Sequence, residues 1–567
     1  MYALRASTTS ATESHLATVD QNASGNIDRQ VSIVAGVAIT DSSSSSVLES
    51  TYVVRGGISP EVMASSLQSL LAARHHPIAR HRFTVLDTFD GRVRHAGARL
   101  SRSGIDGRSV MVWQPRGRGG HLTVRLKEPV GFAWDLPEGP LRDAVARVAG
   151  VRRLLAQAER EQIGSLLEIL DVRGKTVARL QIESGQVRLP MSQASWKTLP
   201  TIITLTGLRG YEDVYERLLP LVESRPGIEP CPEGLHGLTL RQLGVPERDH
   251  VSLRRLGLAP SIRADAGARQ IHRALLRVLV ENEPGLRASL DTEFLHDFRV
   301  AVRRTRALLG QIRDVFPLEA VEHFSTEFSW IGRLTGPSRD LDVLVLALRK
   351  DRGDIPAGDM DAVRAFLRQA QEKEHRALVE ALDSERYRRL LSEWESFLDR
   401  PVSCELEPLN AGRLLREVVS QRAWRLSRRI AGSAETIDER TEPARIHDVR
   451  IAAKKLRYLV DVTPAFYAAA DLERIVGALK SLQRVLGDFH DAHLQQQRLL
   501  ECGRVLGTTG GAAGAVLALE RLAEQRRERR ERLRAQVVDG LARFRARDTR
   551  SACRRAFKAA REPERAP

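Results

Sequence analysis

The sequence predicts an α+β, multidomain protein in which an antiparallel β domain precedes an all-α half. Three observations carry this. Between Val47 and about Leu240, short runs of alternating or β-branched residues are punctuated by glycine and proline, as strands and turns are. Beyond about residue 260 these runs give way to apolar residues at three- and four-residue spacing with few breakers, the amphipathic-helix pattern. Within that second half a motif returns 151 residues later, which marks a tandem duplication.

Taken in order, residues 1–46 are rich in Ser, Thr, Ala and Asn and end in five serines, the composition of a disordered arm. In residues 47–240 the strand candidates begin at Thr51, His81, Arg108, His121, Ser165 and Thr176; the runs from Pro60 to His75 and from Tyr211 to Ser224 read as helices. The turn-rich stretch 227–250 lacks periodicity and reads as a connection, which makes residues 241–261 a linker. Residues 262–560 form the helical domain, and 561–567 a short tail.

The balance of 88 basic against 72 acidic residues gives a net charge of +16, which makes polyanions the leading partner class. Only nine of the cations are lysine, and such an arginine skew can reflect base composition, so position matters more than number. No apolar run approaches the ~20 residues of a spanning helix, and the start lacks a secretory apolar core, so a cytoplasmic location without membrane insertion is expected. Cys231, Cys404, Cys502 and Cys553 lie far apart, which indicates neither a disulfide framework nor a structural metal site.

The repeat matches His296, Arg299, Arg303, Arg304 and Arg306 with His447, Arg450, Lys454, Lys455 and Arg457. The same offset aligns Arg333 with Arg484, Gly336 with Gly487 and Asp340 with Asp491. At about 100° per residue, Arg299, Arg303 and Arg306 fall within about 80° of His296, while Phe298, Val302, Thr305, Leu309 and Ile312 gather opposite. In the second copy Val449, Ala452, Ala453, Leu456 and Val460 oppose the basic stripe. A solvated face is the ordinary fate of such a charge run. It would mix acids and bases, however, and these stripes hold only His, Arg and Lys. Stacked like charges repel, which a bound polyanion would relieve; arginine can hold phosphate oxygens bidentately. The histidines read equally as ligand contacts or as scaffold groups oriented by Asp340 and Asp491. A metal quartet of His447, His490, Asp491 and His493 is disfavoured, since the first copy offers Arg339 and Asp342 in place of His490 and His493.

The doubled H-x-x-R-[VI]-x-x-[RK]-[RK]-x-R motif, each followed by G-x-x-x-D, resembles the CHAD domain, the conserved histidine α-helical domain, over roughly residues 262–560. The resemblance implies a duplicated four-helix bundle about a pseudo-twofold axis, a basic central surface and binding of inorganic polyphosphate. It makes His296, Arg299, Arg303, Arg304, Arg306, His447, Arg450, Lys454, Lys455 and Arg457 the candidate phosphate contacts, with Arg333, Asp340, Arg484 and Asp491 in support.

In the first half, the runs Thr84 to Asp90 and Arg92 to Leu100, with later pieces around Arg125, Lys175 and Tyr211, resemble the CYTH or triphosphate tunnel domain. That resemblance implies an antiparallel β-tunnel with inward acids for Mg²⁺ or Mn²⁺ and inward bases for a triphosphate. The family's first strand reads E-x-E-x-K, whereas this chain offers Glu49, Thr51 and Val53; the stretch from Gly131 to Asp135 supplies one carboxylate. Such a depleted set is not expected to hold two metal ions, so no catalytic residue, resident metal or cofactor is assigned. Arg99, Arg102, Arg125 and Lys127 either line a phosphate-binding tunnel or stand as exposed strand residues. The leading function is therefore non-catalytic polyphosphate binding, with association to polyphosphate granules. The alternatives are a metal-dependent triphosphatase and non-specific nucleic-acid binding; with aromatics at 5%, specific base recognition is not expected.

Overall fold

Nine strands follow the pattern of the first half and join one antiparallel sheet: β1 (Leu48–Val54), β2 (Ala73–Asp87), β3 (Ala98–Ile105), β4 (Arg108–Pro115), β5 (Leu122–Leu126), β6 (Leu155–Leu170), β7 (Thr176–Arg188), β8 (Lys197–Gly207) and β9 (Ile228–Pro230). Their order is β5-β4-β3-β2-β6-β7-β8-β1-β9. The computed structural model describes residues 48–105, 108–115, 121–190, 195–244, 256–349, 355–400, 408–508 and 513–558; the expected arm, the tail, Cys404 and much of the expected linker lie outside these. The chain divides into two units, residues 1–250 and 251–567.

In the first unit one sheet face carries α1 (Pro60–Gln68) and α4 (Glu212–Glu223), with Leu67, Leu218 and Val222 packed on Leu180, Ile182 and Ile203. Further along the sheet, α2 (Arg92–His95) and α3 (Pro140–Ala149) pack Val93 and Val145 on Leu100 and Met111. The sheet curls strongly: Arg99 on β3 reaches Glu49 on β1 at 3.3 Å although four strands lie between them. The opposite face receives α5 (Gly234–Leu243), whose Leu238 and Leu243 meet Val85, Ala158, Val187 and Ile202.

Three readings need correction. The stretch 227–250 is not a plain connection: β9 pairs with β1, and α5 is anchored by buried leucines. The first helix stops at Gln68, and Ala73 to His76 pair with Ile169 to Leu166 as strand, because the β6 ladder outweighs local helix propensity. β3 and β8 were absent from the expected strands. In β8, Ile202 and Ile203 are both buried although they face opposite sides, so alternation is lost.

The second unit is all α: α6 (Ala264–Arg287), α7 (Thr292–Gln311), α8 (Leu318–Leu334), α9 (Gly336–Leu348), α10 (Ala357–Leu382), α11 (Glu385–Asp399), α12 (Leu415–Ser433), α13 (Pro443–Val462), α14 (Ala469–Thr508), α15 (Ala513–Arg545) and α16 (Arg547–Cys553). Asp291 caps α7 by accepting from the amides of Glu293 and Phe294 at 2.9 and 3.2 Å. Phe298, Val302, Thr305 and Leu309 of α7, like Val449, Ala453, Leu456 and Val460 of α13, are buried as their helical spacing predicts. Each fully buried Phe or Leu contributes roughly 1.5–3 kcal/mol. Helix starts recur 151 residues apart: Ala264 and Leu415, Thr292 and Pro443, Leu318 and Ala469. The recurrence stops where Pro337, lacking an amide hydrogen, separates α8 from α9, whereas α14 runs on through Asp488, 151 residues later.

Candidate anion-binding surface of the helical unit

The two motif helices, α7 and α13, pack against each other. Arg303 on α7 donates from Nε to the Tyr458 hydroxyl on α13 at 2.8 Å. Beside this link lie Arg450 and Lys454 of α13 and Asp491 of α14. Burial lowers the Arg450 guanidinium, with Arg303 adding repulsion and Asp491 opposing it. Lys454 is pushed down to about 7, first by burial and then by Arg450 and Arg303, against the pull of Asp491. The Asp491 carboxyl itself is raised by burial, although Arg450, Lys454 and Arg339 all draw it downward.

Arg299 is anchored by hydrogen bonds to the Gly332 carbonyl at 3.1 Å and the Thr335 hydroxyl at 2.6 Å. Burial and Arg303 push it down to about 10, partly offset by Asp340. Leu486 stands 151 residues after Thr335, and the Nε of Arg450 is buried without a hydrogen-bond partner. Asp340 also lies 3.5 Å from Arg498, so both motif aspartates stand among cations.

The expected single stripe divides. Arg304 and Arg457 turn to one buried carboxylate, Asp461, at 3.5 and 2.8 Å, and Arg304 also lies over the Tyr458 ring. Lys455, one residue and about 100° round the helix from Lys454, faces Arg313, Arg422 and Arg429; burial and these cations lower it. Arg306 is exposed and shares its surroundings with Arg333, while Arg484 is exposed on α14 with no side-chain partner among the described residues. His296 is half-buried on α7. The rings of His447 and His490 lie 4.9 Å apart, and burial lowers both, His490 to about 3. His493 instead pairs with Arg530 at 3.1 Å, so the considered metal quartet does not converge.

Sequence reasoning left out Asp461 and the arginines of α12. Both had a signal: Asp461 stands four residues after Arg457, and Arg422, Arg425 and Arg429 recur at helical spacing on one face.

In the sheet unit, Glu49, Thr51, Arg99, Glu223 and Gly234 line a cavity of about 320 Å³. Of the four proposed tunnel cations, Arg99 and Arg125 share the α5 side of the sheet. Arg102 pairs with Met111 and takes the opposite face, and Lys127 is exposed just past β5. The inward cation that the sequence missed is Arg160, fully buried and joined through Gln162 to Glu183. Burial lowers Arg160 to about 10 and raises Glu183. These donors do not fit a Mg²⁺ or Mn²⁺ pair. Glu49 is taken by Arg99, Glu183 is tied into the Arg160 chain, Asp87 accepts the amides of Thr88, Val93 and Arg94, and Asp90 is paired with Arg92 and Arg152.

The family model for the CHAD domain matches residues 270–500. Two proteins of Mycobacterium tuberculosis described as uncharacterized, from strains CDC 1551 and H37Rv, are each 28% identical over 229 residues. That match spans 38% of this chain and 42% of theirs, well under half the length of those relatives. Among solved structures, the CHAD domain from the plant Ricinus communis is 24% identical with a TM-score of 0.42, covering 50% of this chain and 93% of its own. A putative adenylyl cyclase from Hippeastrum, described as revealing a dominant triphosphatase activity, is 12% identical with a TM-score of 0.25, covering 36% of this chain and 100% of its own. Residues 270–500 of this chain thus match the CHAD domain, and a nine-stranded antiparallel sheet precedes them in the sequence.

Proposed function

We propose that the helical unit binds inorganic polyphosphate through the surface shared by α7 and α13, without catalysing its hydrolysis, and that the protein works as a cytoplasmic adaptor on polyphosphate granules. The observation that carries this reading is the convergence of Arg303, Arg450 and Lys454 from two helices, with Lys454 pushed down to about 7 and the Arg450 Nε left without a partner. A cluster of half-buried like charges is costly when empty, and a chain of phosphates returns both the charge and the hydrogen bonds it lacks. The recurrence of helix starts at an offset of 151 residues supports an internal duplication that presents two half-sites to one ligand. In the sheet unit, the engaged carboxylates and the apolar packing of α5 favour a scaffold over a metal-dependent triphosphatase.

Titration of the full chain with long-chain polyphosphate at several salt concentrations tests the proposal. Arg303→Ala and Lys454→Ala should each weaken binding, and the pair should lose more than either alone, because both contact one tethered anion. Unchanged affinity in a folded double variant would refute the site. A mixed-sequence oligonucleotide that displaces polyphosphate at equal phosphate concentration would turn it into a general polyanion surface.

A further inference from the structure

A second basic cleft lies in the helical unit, with walls from α12 and Glu435 just past it, the end of α15, α16 and the π-helix Arg554–Lys558 that follows it, and none from α7 or α13. Its volume is about 940 Å³, near the upper end of the ~300–1,000 Å³ range of small-molecule sites. Five arginines line it against one carboxylate, Glu435, and that carboxylate is already paired with Arg545 at 2.8 Å. The side chains of Arg428, Arg547, Arg550 and Arg554 have neither ion pair nor hydrogen bond among the described residues.

The cleft differs in kind from an open basic patch. Trp424 contributes a half-buried indole with no ring partner among the described residues, and buried Phe544 and Cys553 complete an apolar lining. Gly432 opens the wall, for a Cβ there would meet nothing within 4 Å. An inorganic phosphate chain would engage the guanidinium rim and leave the indole uncovered. A ligand with several phosphates joined to a planar base would satisfy both halves, phosphates on the arginine forks and base against the indole.

We propose that this cleft is a second, independent anion site and that it takes a nucleoside polyphosphate. It does not depend on polyphosphate binding at the motif helices. The test is a titration of the full chain with ATP, followed by tryptophan fluorescence and by displacement of a fluorescent ATP analogue. Saturable quenching should disappear in Trp424→Phe. Arg550→Ala combined with Arg554→Ala should weaken ATP roughly tenfold or more, and Gly432→Glu should do the same by placing a carboxylate among the arginines. The thermal midpoint of Gly432→Glu should stay at or above that of the parent chain, since the added side chain meets open space. Tripolyphosphate should displace the analogue at least roughly tenfold less well than ATP. ATP binding that survives both cleft variants would overturn the site, and equal competition by tripolyphosphate would overturn the assignment of a nucleoside ligand.

Discussion

At the level of single residues, Lys454 is expected to set the pH response of the proposed site. Its ammonium is pushed down from 10.5 to about 7 by burial first and by Arg450 and Arg303 second, so above pH 7 the empty site progressively loses one positive charge. A bound anion favours the charged form and raises that pKa again. Affinity for polyphosphate should therefore be highest below pH 7 and fall above it, by at most about tenfold per pH unit for one proton. Lys454→Arg holds its charge through this range, so dissociation constants at pH 6 and pH 8.5 should converge in that variant; a slope left unchanged would assign the response elsewhere. A lost phosphate contact at Arg303 should cost on the order of 1.5–3 kcal/mol in its partly buried setting. By analogy with single-stranded nucleic acid, it should flatten the log–log salt slope by roughly 0.7. His296→Ala and His447→Ala separate ligand from scaffold: a scaffold histidine lowers the thermal midpoint and leaves the salt slope nearly unchanged.

At the level of elements, the Asp461 clip on α13 decides which motif cations are available. It holds Arg304 and Arg457 at 3.5 and 2.8 Å with a carboxylate that is 5% exposed. Asp461→Asn should lower stability by on the order of 1–3 kcal/mol, less than a fully buried pair because both guanidinium groups keep some water, as read from denaturant midpoints. It should also steepen the salt dependence of polyphosphate binding by releasing two cations; an unchanged slope would show that neither reaches the ligand. The apolar sides of α7 and α13 were legible because helical spacing alone places Phe298, Thr305 and Leu456 inside. The division of the basic side was not, since it depends on which neighbouring helix brings an acid or another arginine to each position. Lys454 and Lys455 are adjacent in sequence, yet one faces Asp491 and the other the arginines of α12. In the sheet, β8 hid because it is buried on both faces, and α5 because its few leucines gain meaning only against Val85 and Ile202.

At the level of the whole molecule, charge and burial combine in the acid response. His272 sits in an aromatic nest against Trp394 and Phe316, is fully buried, and is lowered to about 3 by burial alone. In the unfolded chain the same ring titrates near 6.5. Between those values the unfolded chain binds a proton that the folded chain refuses, so this contribution to stability is present above pH 6.5 and is lost as pH falls. The loss should approach about 1.4 kcal/mol per pH unit for each such histidine. His490 behaves in the same sense, lowered to about 3 by burial and then by Arg450 and His447, but it stands beside the candidate surface. The two should therefore respond differently to ligand. In urea titrations followed by helical circular dichroism between pH 4.5 and 7, His272→Phe should flatten the acid loss whether or not polyphosphate is present. Polyphosphate should shrink only the share carried by His490 and its neighbour His447, because neutralising Arg450 and Lys454 removes the repulsion that helps to keep both rings neutral. Below pH 6, where Lys454 stays charged with or without ligand, a ligand effect on the acid slope that survives in the His447→Ala, His490→Gln double variant, or one that vanishes in His272→Phe, would place the anion away from the paired motif helices.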